Sequence, residues 1–210
     1  MKIITISREF GSGGRELGQR LAEALGFDYY DSEILTTVAK RCGIDDKCRE
    51  VSLRDHGWRN IPITFHGTMS SLAYIASFNT DVVLRQNEVI REIASYGKDF
   101  VIVGRNADVL LREYSPLNIF VYSSEDTKIK RCMERVKDGE KISERELIRK
   151  MKEIDKRRAR SRELVSETPW GERSSYHLSV STDGWEIESL ADSISDFATK
   201  WFLNYEKSSL

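Results

Sequence analysis

Apolar positions along this chain switch repeatedly between a short-run pattern and a helical one. Residues 2–6 form a β-branched run bounded by polar side chains, which predicts a buried strand. Over residues 15–25, Leu17, Leu21, Ala22 and Leu25 recur at helical spacing, and Gly26 stands where a left-handed residue would end the helix. Residues 27–30 read as a brief extended piece, with Asp31 or Ser32 capping a second helix to about residue 41. Residues 43–65 read as loop-rich; helices are predicted over 69–78 and 81–96, the latter closed by Gly97. Two further apolar runs, 100–103 and 117–122, predict strands flanking a short helix that ends at Leu111. Helices follow over 124–137 and from the capping box Ser143-Glu-Arg-Glu146 to about residue 164. A fourth strand over 178–181 and an amphipathic helix over 185–205 complete the chain.

Strands that alternate with helices and are apolar on both faces signal a parallel sheet covered on both sides. The expected fold is therefore α/β, an open three-layer domain with ligands bound outside the carboxyl ends of its strands. A single domain over 1–210 is expected, since this length buries roughly 65–75% of the unfolded chain's surface. In the last helix, Trp185, Ile187, Leu190, Ile194, Phe197, Ala198 and Trp201 share a face, which serves either core packing or the seam of a homodimer.

Composition changes this picture little. The chain is 40% hydrophobic and 32% charged, and its 33 Lys+Arg against 34 Asp+Glu leave a net charge of -1. Nothing global marks a partner for a nucleic-acid polymer. No apolar run approaches the ~20 residues of a membrane span, and the N-terminus lacks the apolar core of a signal peptide. With 3 cysteines lacking Cys-x-x-Cys spacing, neither a disulfide framework nor a structural zinc site is expected, and no metal ligands are assigned. A cytoplasmic location follows as the expectation.

The chemistry is concentrated at strand ends. In Ile6-Ser-Arg-Glu-Phe-Gly-Ser-Gly-Gly-Arg15 a strand passes into a helix through a glycine turn. Glycines let successive N–H groups curl inward at the positive end of the helix dipole, which makes a phosphate cradle. It departs from the regular P-loop, Gly-x-x-x-x-Gly-Lys-[Ser/Thr]: Arg8 stands at the leading glycine and Gly14 at the lysine, and no hydroxyl follows. Either Arg15, or Arg8, supplies the cation, or the loop binds phosphate without efficient transfer. Tyr30-Asp-Ser32 puts a carboxylate and a hydroxyl at a second strand end, where a plain helix cap explains them equally well. Val103-Gly-Arg-Asn106 brings an arginine out of a buried strand, needing an anionic ligand or an internal partner. The segment 145–162 holds nine basic residues against three acids. Within it Arg158 and Arg162 share a helix face, as do Arg157 and Arg160. Planar guanidiniums suit polyphosphate oxygens, and the run lacks the interleaved aromatics of a single-strand groove.

In this order the parts resemble the nucleoside monophosphate kinases, and most closely the divergent cytidylate kinase-like family. That family typically opens with Ile-Ser-Arg-Glu-x-Gly-Ser-Gly-Gly, as residues 6–14 do, and continues with Phe-Tyr-Asp, Val-Gly-Arg, Asp-Lys-Arg, Trp-Gly and Tyr-Asp-Leu. Here these stand as Tyr29-Tyr30-Asp31, Val103-Gly104-Arg105, Asp155-Lys156-Arg157, Trp170-Gly171 and Tyr176-His177-Leu178. The resemblance spans roughly residues 3–182. It implies a three-layer P-loop nucleoside-kinase-like fold with an acceptor-binding insertion over 44–80 and an arginine-rich lid over 145–175. It further implies phosphoryl transfer from ATP, with Mg2+, to a nucleoside monophosphate or similar small phosphorylated acceptor. By it, Gly11, Ser12, Gly13, Gly14 and Arg15 cradle the donor's phosphates, while Ser32 and Asp31 face the acceptor's sugar. Arg105 grips the acceptor's phosphate, Asn106 lies near its base, and Arg157, Arg158 and Arg162 close over the transferring group with Arg15. Asp155 either orients those arginines or forms an intrahelical ion pair. Cytidylate kinases proper carry an aspartate where Asn106 stands, and the family's Tyr-Asp-Leu is Tyr176-His177-Leu178 here, so base preference stays open. The alternative is a nucleotide-binding regulatory module that keeps the fold without efficient transfer.

Overall fold

A computed structural model describes residues 1–35, 80–135 and 142–208. Its first strand, β1 (Ile3–Arg8), runs through the loop of residues 9–13 into α1 (Gly14–Leu25). β2 (Asp28–Asp31) follows, and residues 32–35 are helical. Then come α2 (Thr80–Ser95), β3 (Phe100–Val103), α3 (Ala107–Leu110), β4 (Leu117–Tyr122) and α4 (Glu125–Met133). The chain ends with α5 (Glu144–Glu163), β5 (Leu178–Ser181) and α6 (Ile187–Ser208). The expected helix over 69–78, the remainder of the helix after Asp31 and residues 44–79 of the insertion lie outside the described residues.

The five strands form one sheet, every pair parallel, in the order β2-β3-β1-β4-β5. The expected α/β class and the covered parallel sheet are what the structure shows. The extended piece after α1 is a full sheet member, pairing Asp31 with Val103. In β1 the successive residues Ile3 and Ile4 are both buried, and in β3 all four residues are. Because neighbouring side chains point to opposite faces, burial of consecutive residues means that both faces are covered. β5, at the sheet's edge, is the exception, with none of its residues fully buried.

Order fixes the site. β1 lies between β3 and β4, so the chain crosses over β1 on passing from β3 to β4, and the crevice opens at β1's carboxyl end. β2 and β3 finish level there, since Asp31 pairs with Val103, and β1 runs two residues beyond Ile6, the partner of Val103. Of the last helix's apolar residues, Ile187, Leu190, Ile194 and Ala198 are buried in the main core, while Trp185 and Phe197 are exposed. Core packing accounts for the buried set. Among the described residues no helix is long and apolar enough to cross a membrane.

Candidate functional site

The glycine turn has the backbone geometry that a phosphate cradle requires. Gly11 and Gly13 have φ of +78° and +82°, a left-handed conformation that L side chains rarely adopt. Gly13 is the cap residue of α1 and carries no side-chain acceptor over the helix's first N–H groups. Those groups and the helix dipole therefore face the crevice.

The turn is held from behind rather than filled from within. Ser12, fully buried, donates its Oγ–H to the Glu9 carbonyl (2.9 Å), and its own carbonyl accepts from Thr182 Oγ1 (2.8 Å). Arg131 Nη1 donates to the Gly11 carbonyl (3.1 Å) and to Thr182 Oγ1 (3.3 Å), and Lys128 pairs with Glu9 at 2.8 Å. Phe10 is buried with Cys132, Leu147, Met151 and Ile154, which ties the turn to α4 and α5. The Phe10 N–H donates to Asp155 (2.8 Å), whose same oxygen accepts from Arg158 (2.9 Å). Asp155 thus does more than pair along its helix: it bridges an arginine to the backbone of the turn. Burial pushes its carboxyl up from the usual carboxylate range, and Arg158 opposes that shift.

Sequence reasoning missed the α4 residues and Thr182. Their signals were present: Lys128, Arg131 and Arg135 repeat on one helix face, and Thr182 directly follows a strand end.

The arginines around the crevice have distinct environments. Arg8 leaves the end of β1, and its side chain lies over Gly104. Arg158 donates to the Arg8 carbonyl (2.9 Å), and Arg105 stands on the residue after Gly104 with φ of +62°. Burial pulls the Arg8 guanidinium down to about 9, with the charge of Arg158 adding to the effect, and burial also lowers Arg158. Positive charge is concentrated here, between the glycine turn and the Gly-Arg-Asn turn.

Arg15 and Arg162, expected to close over a transferring group, are both paired with carboxylates in this structure. Arg15 Nε pairs with Asp31 (2.6 Å), and its two terminal nitrogens hold both oxygens of Glu33 at 2.9 and 2.7 Å. Burial disfavours that charge, but the bonds to Glu33 and the field of Asp31 override it and leave Arg15 more firmly charged than usual. Arg162 is buried against Asp108, with both side chains 3% exposed, and its Nε donates to the Thr168 carbonyl (3.3 Å). It fastens α5 to α3. Arg157 pairs with Glu153 one turn away and is turned outward, 40% exposed.

The remaining expected residues divide as follows. Asp31 accepts from the N–H groups of Glu33 and Ile34 (2.9 and 3.0 Å), so it caps the following turn while holding Arg15. Ser32 is half-buried at the start of that turn. Asn106, at φ +52°, donates to the Ser161 carbonyl and hydroxyl, both at 3.1 Å. Trp170 and Tyr176 pack on Phe120 of β4, with ring centroids at 5.4 and 5.0 Å. His177 accepts the Asn118 N–H on Nδ1 (2.9 Å) and lies against Trp201, a fastening at the sheet edge.

The family model for the cytidylate kinase-like family matches residues 3–184. The chain belongs to that family. No protein of curated function matches the sequence significantly. Among solved structures, a protein of uncharacterised function from Eubacterium ventriosum is 27% identical, with a TM-score of 0.69 over 95% of this chain and 99% of that one. A shikimate kinase from Acinetobacter baumannii, in complex with shikimate, is 14% identical with a TM-score of 0.50, covering 95% of this chain and 94% of its own. Another, from Bacteroides thetaiotaomicron, is 16% identical with a TM-score of 0.53, covering 93% of this chain and 97% of its own. At such identities the likeness establishes the fold, that of the P-loop kinases. Family and fold together make the chain kinase-like.

Proposed function

We propose that this member of the cytidylate kinase-like family transfers the terminal phosphoryl group of ATP to a nucleoside monophosphate or a similar small phosphorylated acceptor. The observation that carries the reading is the Arg8–Arg105–Arg158 cluster set between a helix-capping glycine turn and the sheet's topological switch point. Concentrated, partly desolvated guanidiniums are stabilised by phosphate oxygens. Phosphoryl transfer asks for positioning and charge neutralisation rather than a covalent catalyst.

In this reading the turn's N–H groups hold the donor's phosphates, and Arg105 holds the acceptor's phosphate. An acceptor phosphate oxygen forms a bond to the terminal phosphorus as the bond to the donor's β-phosphate oxygen breaks. The products are a nucleoside diphosphate and ADP.

The cradle fits a nucleotide's phosphates; the fit to Mg2+ is poorer. Arg15 stands where the hydroxyl of a regular P-loop would be, and it holds the Asp31 and Glu33 carboxylates itself. Among the described residues no three His, Cys, Asp or Glu side chains gather as a metal site. No residue is therefore assigned to the metal, and no step is routed through it.

The engaged Arg15 favours a second reading, a regulatory module that binds nucleotide without transfer. A coupled assay for ADP formation across the common nucleoside monophosphates separates the two. Acceptor-dependent turnover is expected. ATP binding by calorimetry with no turnover on any acceptor selects the module instead.

A further inference from the structure

We propose that Arg8 is the phosphate-binding cation of this loop, filling the role of the lysine that a regular P-loop carries six residues later. The argument deepens the kinase reading and rests on it for the identity of the ligand.

The first observation is steric. A Cβ built on Gly14, the lysine position, would lie 2.6 Å from Arg8 Cβ, 3.1 Å from Arg8 Cγ and 3.2 Å from Val121 Cβ. No side chain fits at 14 while Arg8 is present, because the stem of Arg8 occupies that space. A regular P-loop has the converse arrangement, glycine at the leading position and lysine at the later one. The two departures noted in the sequence are therefore one coupled exchange: moving the cation to position 8 requires glycine at 14.

The second observation is direction. The Arg8 guanidinium lies so close over Gly104 that any Cβ there would overlap it. The Gly104 N–H bonds the Ile6 carbonyl (2.9 Å), which fixes this turn beside the end of β1. Arg8 thus reaches from the donor's cradle toward Arg105, across the place where a phosphoryl group would pass between donor and acceptor.

The third is the absence of a bonded counter-charge: Asp31 acts on Arg8 only through its field, against the larger costs of burial and of Arg158. Among the described residues Arg8 makes no side-chain hydrogen bond and no ion pair, whereas Arg15, seven residues on, is held by two carboxylates. The Arg8 carbonyl receives the guanidinium of Arg158 at 2.9 Å, so another cation is fixed beside it. A desolvated arginine flanked by arginines gains most from a multiply charged anion, and a polyphosphate presents one with the oxygen spacing of a guanidinium fork.

The test uses the full chain and two readouts, calorimetric binding of inorganic pyrophosphate and ADP-forming turnover. Arg8→Met is expected to weaken pyrophosphate binding at least tenfold and to lower kcat at least a hundredfold, with no fall in the unliganded Tm. Arg8→Lys, which keeps the charge without the fork, is expected to recover part of both. Gly14→Lys alone is expected to destabilise the protein, and Arg8→Gly combined with Gly14→Lys to bind pyrophosphate better than either single variant. Pyrophosphate binding that is absent in the wild type, or undiminished in Arg8→Met, overturns the assignment. If the wild type binds pyrophosphate, Arg8→Met does not, and no acceptor supports turnover, the kinase reading fails while Arg8 stands as the phosphate cation.

Discussion

Arg162 and Arg8 both lie near the carboxyl end of the sheet, the first buried and the second half-buried, and they differ in what answers their charge. Arg162 meets Asp108 in a buried pair and bonds a carbonyl as well. Arg8 lies over a glycine with other arginines beside it, and Asp31 and Tyr29 act on it through their fields without a bond. A folded protein tolerates the first because its desolvation is offset internally. The second has only a partial offset from the field of Asp31, and a bound anion would complete it. At such a crevice, the number of arginines therefore says less than the number lacking a bonded counter-charge.

The largest expected effect breaks the satisfied side of this comparison. Removing one partner of a buried pair leaves the other charge stranded, which costs about 3–5 kcal/mol. Arg162→Ala is expected to lose about that much in urea-unfolding stability, and Asp108→Ala a similar amount. Replacing both by apolar residues of similar volume should restore most of the loss. If Arg8→Met proves as damaging to the unliganded protein as Arg162→Ala, the two arginines are alike and the comparison collapses.

This contrast also explains what could be read before the fold was seen. β3 and β4 fall on the residues their apolar runs predicted, 100–103 and 117–122, because a strand buried on both faces leaves no polar residue to blur its ends. The glycine turn was equally plain, since strand, glycines and helix are contiguous. Helix α4 ends at Met133, short of the expected 137, and lacks a glycine to mark its stop. The roles of the arginines were the least legible. Arg15 and Arg162 earned their place by proximity in sequence to the loop and to the basic run. Their counter-charges come from elsewhere: Asp31 and Glu33 in and after β2, and Asp108 in α3, 54 residues from Arg162. Spacing along a chain reveals local charge, and only the fold reveals which carboxylates arrive to cancel it. The Arg8–Gly14 exchange lay in view as two oddities, but their steric dependence needed the two backbones in place.

A smaller effect sharpens the comparison through pH. Burial and the charge of Arg158 push the Arg8 guanidinium down to about 9, well below its ordinary range. Below pH 9 both states carry the proton, and the folded state bears the whole cost of the buried charge. Above pH 9 the folded state gives up the proton first, so the unfolded state binds more protons and stability rises with pH. Arg8→Met should therefore be more stable than wild type at pH 7.5, by about 1–3 kcal/mol. That advantage should narrow as pH climbs past 9. Urea midpoints of the two proteins from pH 7.5 to 10.5 measure it, and a difference that stays flat or widens would show that Arg8 is not burdened by its charge.

Arg157 supplies the smallest expected effect and the finest test. It neighbours Arg158 in sequence, yet it points outward and pairs with Glu153 across one helical turn. Exposed pairs of this spacing contribute about 0.3–0.5 kcal/mol and are screened by salt. Arg157→Ala should thus shift stability by no more than about 0.5 kcal/mol, with the shift vanishing at high ionic strength, and turnover should fall less than about threefold. Arg158→Ala, one residue on, removes the clamp between Asp155 and the Arg8 carbonyl and should cost far more activity. Equal losses from both variants would mean that α5 turns its outer face to the substrate during the reaction. The division between answered and unanswered charge would then hold for the open protein and not for the one that reacts.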